Sequence, residues 1–274
     1  MSSILTNSSA MVALSTLSMV NKSLNETQNR VSTGLQISTG KDNAAYFAIS
    51  ETMKGDSGMF KAINEGLTST KNSVATARLG AENVQQLTQD FSERVAFAQG
   101  SGIDLADVQL ELDSLVTQIG TAISQATFNG EDLVSGAVVT QTVVTGISRT
   151  GGTFAATTMT FDSVDLGAIQ TALAAVDLTT STNLQTDLAT AETQLGLAIE
   201  AVTSLGVTEK TIEGQQGFLD ALGDTLDSGV SSMVDADMEA EAARLQALQV
   251  QQQLATQSLS IANQAPQNIL SLFR

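Results

Sequence analysis

The chain has 274 residues, 42% hydrophobic but only 4% aromatic, and a net charge of −17. That composition supports a core of Ala, Leu, Val and Ile, which suits close helix packing, and argues against global disorder. The charge excludes a nucleic-acid partner that needs clustered Lys and Arg. The absence of Cys and His removes disulfides, thiolate and imidazole metal sites and Ser-His-Asp catalysis, so neither a cofactor nor an enzyme is expected.

Met1 to Val20 carries no charge. It lacks the basic start of a cleaved secretory signal, and Ser and Thr interrupt its apolar residues. Over residues 8–35, Ala10, Leu17, Leu24 and Val31 recur every seven, and Leu14, Asn21, Gln28 and Leu35 fill the companion positions. That spacing predicts a helix with a coiled-coil seam, in which the amides cost stability but fix register. Gly34 and Gly40 mark a non-helical stretch in STGLQISTGKDNAA (32–45). Asp42 or Asn43 then caps a helix from about Ala44 to Ala98. Gly55, Gly58, Gly66 and Gly80 weaken it and predict local bends.

Asp104 caps a third helix that ends near Thr127, and Asn129-Gly130 is a strong turn signal. VVTQTVVTGIS (138–148) and TFAATTMTFDSV (153–164) flank Gly151-Gly152 and predict a β-hairpin. Two strands alone are marginal, so the hairpin is expected to pack on helices or to carry a third strand. Helical spacing returns over Ser181–Ser231 through Leu184, Leu188, Leu195, Ile199, Val202, Ile212, Phe218, Leu222 and Leu226, with an interruption expected at Gly206.

DADMEAEAAR (235–244) clusters carboxylates but lacks the Gly of a calcium loop. It reads as a helix start capped by Asp235 or Asp237, with Glu239 and Glu241 on the helix dipole. From Leu245 to Phe273 no residue is charged. Leu245, Leu248, Gln252, Ala255, Leu259, Ala262 and Ile269 follow an a/d stripe, and Pro266 is expected to bend or end the helix near Ala265. No window reaches the roughly 18 to 20 apolar residues of a membrane span, so no membrane insertion is expected.

The fold class is therefore mainly α, with long antiparallel helices and a small β-hairpin insertion. Charge divides the chain: residues 1–40 sum to +1, 235–274 to −2 and 41–234 to −16. The nearly neutral ends read as one coiled-coil domain, 1–40 with 235–274. The polyanionic middle, 41–234 with a β element at 131–167, faces water. A helix with a charge-free outer face fits a place where that face is desolvated too, because burying an unpaired charge is costly. Other copies of the chain are the simplest supplier of that cover, and a contact that does not close into a ring builds a filament. Two other readings stay open on pattern alone: a coiled-coil hairpin closing within one molecule, and an amphipathic helix on a membrane surface, which lacks the usual Lys and Arg. Ser and Thr are dense over 135–181, where strand propensity and O-glycosylation are both compatible readings.

The residues also resemble a known family. Asn21, Ser23, Leu24, Arg30, Ser32, Thr33, Gly34, Leu35 and Ile37, followed by Asp42, Ala44, Ala45, Ile49 and Ser50, are similar to the N-terminal pattern of bacterial flagellins. Phe128-Asn129-Gly130 is similar to the point where the family's helical hairpin meets its β region. Asp235-Ala236-Asp237, Ala262-Asn263-Gln264, Pro266-Gln267-Asn268-Ile269-Leu270-Ser271-Leu272 and Arg274 resemble its C-terminal signature. Asn43 stands where many flagellins have a second Asp, and the middle is short.

The resemblance implies an inner terminal coiled coil, a helical rod domain outside it, and a subunit of the extracellular helical filament used for motility. It implies export through the flagellar type III apparatus, an export chaperone, and cap and junction proteins. Leu14, Leu17, Leu24, Arg30, Val31, Leu35, Leu248, Leu259, Ile269 and Leu272 are the expected polymerisation contacts. A hook–filament junction protein and a secreted coiled-coil binding protein are the alternatives.

Overall fold

The computed structural model describes residues 7–150 and 153–271. Six helices occur among them: α1 Ser8–Thr33, α2 Ala44–Phe97, α3 Leu105–Gln125, α4 Leu166–Ala174, α5 Leu184–Val234 and α6 Met238–Ser271. Two antiparallel hairpins lie between α3 and α4: β1 Thr127–Phe128 with β2 Glu131–Asp132, and β3 Thr140–Thr150 with β4 Thr153–Asp162. The chain divides into two compact units, one of Met1–Asp56 with Thr225–Arg274 and one of Ser57–Asp224. The divisions fall inside α2 and α5, whereas the composition changes at 40 and 235 coincide with helix breaks.

In the first unit α1 and α6 pair antiparallel. Asn7 Nδ2 donates to the Ala262 carbonyl at 2.7 Å, Gln252 Nε2 to Asn21 Oδ1 at 2.7 Å, and Arg30 to Glu241 Oε1 at 3.2 Å. The α6 side of the seam is Leu245, Leu248, Gln252, Ala255, Leu259 and Ala262, all at least half-buried, as the a/d spacing predicts. On α1 the stripe Ala10, Leu17, Leu24 and Val31 also faces inward. The companion stripe differs from expectation: Ala13, Val20 and Thr27 face α6, while Leu14 and Gln28 are exposed. Steps of three and of four both satisfy the heptad, so the partner helix decides which one is used.

Pro266 does not end α6, which continues to Ser271. A helical proline leaves the carbonyl four residues earlier without its N–H partner. That carbonyl is Ala262's, and Asn7 Nδ2 supplies the missing donor. The same Asn7 side chain accepts from the Ala10 amide and caps α1.

The second unit holds the fully buried core. On α2, Leu67, Val74, Ala77, Ala81, Val84, Thr88, Phe91 and Val95 keep heptad spacing at no more than 0% exposure. On α5, Ala191, Ala198, Leu205, Ile212 and Leu219, seven residues apart, are at most 2% exposed. That overturns part of the expected α5 stripe: Ile199 and Phe218 are exposed. The two helices are laced antiparallel by Arg78 to Glu209 at 2.8 Å, Lys71 to Glu213 at 3.5 Å and Gln216 to Thr68 Oγ1 at 2.8 Å. Asp104 caps α3 through the Ala106 amide. Helix α4, which the sequence reading missed, is capped by Asp165 and buries Leu166, Ile169 and Leu173. Gln109 of α3 receives its exit through the Leu178 amide at 2.9 Å.

Asn129 and Gly130 both take positive φ, 53° and 83°, the backbone of a type I′ hairpin turn. Glu131 then accepts from Ser73 Oγ at 2.8 Å, tying the turn to α2. The β3–β4 hairpin bulges at Thr145, whose carbonyl accepts from Gln215 Nε2 of α5 at 2.8 Å. Packing on a helix, rather than a third strand, thus supports it.

Neither Gly206 nor the glycines of α2 interrupt their helices. At Gly80 the reason is close approach: a Cβ there would lie 2.3 Å from Ala126 Cβ, whereas one at Gly55 or Gly58 would meet nothing within 4 Å. Ala in place of a helical Gly gains about 0.5–1 kcal/mol, and overpacking costs about 1–3 kcal/mol. Gly55→Ala is therefore expected to raise the melting temperature and Gly80→Ala to lower it, with Ala126→Gly restoring part of the loss. Equal stabilisation by both substitutions would contradict the packing.

Candidate assembly surface

The turn between α1 and α2 and the start of α6 form one hydrogen-bonded junction. Gly34, at φ 73°, ends α1 in the left-handed conformation while its amide donates to the Arg30 carbonyl. Nothing stands within 4 Å of a Cβ there, so backbone conformation, not space, asks for glycine. The Ala236 amide donates to the Gly34 carbonyl at 2.8 Å, and the Gln36 amide to the Val234 carbonyl at 2.7 Å. Leu35 and Asp235 pair as an isolated antiparallel bridge. Both signature segments are thus joined backbone to backbone.

Side chains complete the junction. Asp42 accepts from the Thr39 and Ser38 amides at 3.0 and 3.1 Å and from both hydroxyls. The Thr39 amide first, then the Ser38 amide, hold the Asp42 carboxyl below its usual range. This tie is fully present above the ordinary carboxylate range and is lost as pH falls through the lowered value. Asn43 rather than Asp42 caps α2, and Asp237 rather than Asp235 caps α6. Glu241, one turn into α6, is 6% exposed and meets Arg30 at 3.2 Å and Arg244 at 3.1 Å through Oε1. No hydrogen-bond partner reaches its buried Oε2. Among the described residues no cluster of metal-ligating groups occurs, and the carboxylates of 235–241 act as cap, dipole partner and clamp.

The expected contact residues divide by environment. Leu17, Arg30, Val31, Leu35, Leu248 and Leu259 are half-buried and Leu24 is buried. Leu17, Leu24, Val31, Leu248 and Leu259 lie along the seam. Leu14 points outward at 57% exposure. Ser32 is exposed beside the junction. Leu272 and Arg274 lie outside the described residues. So do the side chains of Ile269, Pro266, Gln267 and Asn268, although their backbone belongs to α6.

What sequence reasoning missed is the apolar set off the stripe. Met11, Val12 and Met19 on α1 and Val250, Leu254 and Ile261 on α6 are all at least 56% exposed. A groove of about 460 Å³ runs along the hairpin between Val12, Ala13 and Thr16 on one side and Gln251, Leu254 and Ser258 on the other. No described residue from Asn7 to Asn21, or from Leu245 to Ser271, is charged. The surface is therefore apolar and amide-rich, without the charges that keep a helix face in water. A count of large apolar residues falling outside the a/d positions would have found it.

Residues 4–139 match the bacterial flagellin N-terminal helical region and residues 167–273 the C-terminal helical region. The whole chain aligns with a flagellin of Brucella melitensis biotype 1 over that protein's full length, at 40% identity. The chain belongs to the bacterial flagellin family. Flagellin FljM of Caulobacter vibrioides is 32% identical, over 100% of this chain and 99% of its own. Flagellin C of Rhizobium meliloti is 32% identical over 100% of both. Among solved structures, a putative flagellar hook-associated protein from Vibrio parahaemolyticus covers 72% of this chain and 99% of its own at 13% identity and a TM-score of 0.44, a likeness too slight to bear on fold or function.

As a flagellin, the chain is a structural subunit of the flagellar filament, which assembles from flagellin copies and serves motility. The stretch between the two matched regions, 140–166, is essentially the β3–β4 hairpin. The flagellin helical regions thus comprise the terminal hairpin, its junction and most of the buried core of the second unit.

Proposed function

We propose that polymerisation uses the outer faces of the charge-free stretches of α1, up to Asn21, and of α6, from Leu245, with residues 1–40 and 235–274 as the inner domain and the acidic 41–234 outside it. One observation carries this reading: large apolar side chains stay exposed along residues 7–21 of α1 and 245–264 of α6, although neither stretch carries a charge. Such a face gains from burial against another copy, at about 25 cal/mol per Å² of apolar surface, and offers no ion that burial would penalise. Leu14, Met11 and Leu254 are central to it, while Leu24, Val31, Leu248 and Leu259 set its shape by fixing the hairpin. The filament so built is extracellular. Its subunit reaches the growing end unfolded through the flagellar type III export apparatus, with a chaperone covering the uncharged C-terminal segment and cap and junction proteins at the filament ends. A hairpin that buries one narrow stripe nucleates poorly alone, which suits a chain that completes its terminal fold on assembly.

Electron microscopy of concentrated protein with filament seeds tests the reading. Filaments that lengthen with added subunit are expected. Particles of fixed size, with no lengthening, would favour a closed oligomer and overturn it.

A further inference from the structure

The methionines of this chain are unevenly placed. Met53, Met59, Met159 and Met233 are half-buried, whereas Met11 and Met19 are 66% and 60% exposed. These two lie about two turns apart on α1, and Met11 adjoins Val12, which lines the hairpin groove. Met238 is also exposed, at 45%, but sits in the acidic start of α6 beside Asp237 and Glu239. The two most accessible described thioethers therefore belong to the charge-free face.

We propose that Met11 and Met19 form an oxidation site that controls entry of the subunit into the filament. The proposal rests on the assembly reading above. Hydrogen peroxide is the oxidant: the thioether sulfur attacks one peroxide oxygen, an S–O bond forms as the O–O bond breaks, and the departing hydroxide takes up a proton to leave as water. Sulfur loses two electrons and peroxide gains them. Met sulfoxide replaces a flexible apolar side chain by a polar, chiral one. In the free subunit the new oxygen stays hydrated and costs nothing. In the filament it is buried on a face shaped for apolar contact, and an unsatisfied polar group there is penalised. Oxidised subunits are thus turned away, while subunits already assembled keep both sulfurs covered. Neither residue lies in the α1–α6 seam, so the modification leaves the hairpin intact.

The test uses the full-length protein, treated with peroxide until peptide mass spectrometry shows both residues as sulfoxide, and seeded elongation followed by sedimentation. Failure of untreated protein to elongate would refute the assembly reading itself. With untreated protein elongating, treated protein is expected to elongate at least tenfold more slowly with unchanged circular dichroism, and methionine sulfoxide reductases A and B to restore the rate. The double variant Met11→Leu, Met19→Leu conserves volume and is expected to elongate equally before and after treatment. In preformed filaments both residues are expected to oxidise at least tenfold more slowly than in the subunit. Normal elongation of protein oxidised at both positions, no recovery after reduction, equal sensitivity of the Leu variant, or equal oxidation in filament and subunit would each overturn the proposal.

Discussion

Removal of residues 245–274 is expected to abolish filament growth and to leave the second unit folded. The deletion takes away the α6 half of the seam, including Leu248, Gln252, Ala255 and Leu259, together with the outward Val250, Leu254 and Ile261. Helix α1 then has nothing to pack on and is lost with it, because an isolated helix of 26 residues with two amide or hydroxyl seam positions draws little from propensity alone. The core of Ser57–Asp224 is untouched. Leu67, Val74, Phe91, Leu112, Ile119, Leu205 and Ile212, all fully buried, lie within that span. Far-UV circular dichroism of the truncated chain is expected to lose no more than the helical signal of α1 and α6 and to keep a cooperative melt. Seeded electron microscopy is expected to show no elongation. Normal filaments from the truncated chain would refute the assignment of assembly to the terminal helices.

Leu254→Lys separates folding from assembly at one position. Leu254 is 58% exposed on α6 and lines the groove opposite Val12. In the subunit an exposed Lys keeps its ammonium in water and is a good helix former, so the stability change is expected within about 0.5 kcal/mol. On the proposed assembly face the same ammonium would be buried among Met, Val, Ser and Gln side chains, and neither 7–21 nor 245–271 contains an acidic residue to pair with it. The effective penalty for an unpaired buried ion is several kcal/mol, and each 1.4 kcal/mol is tenfold in an equilibrium constant. The critical concentration for growth is therefore expected to rise at least about 100-fold. Leu254→Met conserves volume and is expected to change it little. A Lys variant that melts and polymerises as the parent does would show that this face stays wet in the filament.

Particular residues show what the sequence makes legible. Capping and turn residues act within a few positions of themselves, so Asp104, Asp237 and Asn129-Gly130 were readable without any partner. The alternation of Val and Thr about Gly151-Gly152 likewise gave the β3–β4 hairpin. Helix α4 was missed although Asp165 and the spacing of Leu166, Ile169 and Leu173 mark it. Its nine residues are too few for periodicity to stand out against the Thr-rich strand before it. On α5 the large apolar residues fall on more than one face, and the face buried inside the second unit carries Ala at 191 and 198. Small residues win there because they let a helix approach its neighbours closely, which a search for large apolar side chains passes over.

Local chemistry and charge lie in the sequence itself: the helices and their caps, the hairpin, the heptad stripe of α6 and the uncharged ends. Choices between equivalent local solutions needed the partner in space. Ala13, Val20 and Thr27 face α6, rather than Leu14 and Gln28, because two helices share only one narrow seam. Glu241 is buried because Arg30, 211 positions away, meets it. Helix α6 runs through Pro266 because Asn7, at the other end of the chain, takes the carbonyl that proline leaves unpaired.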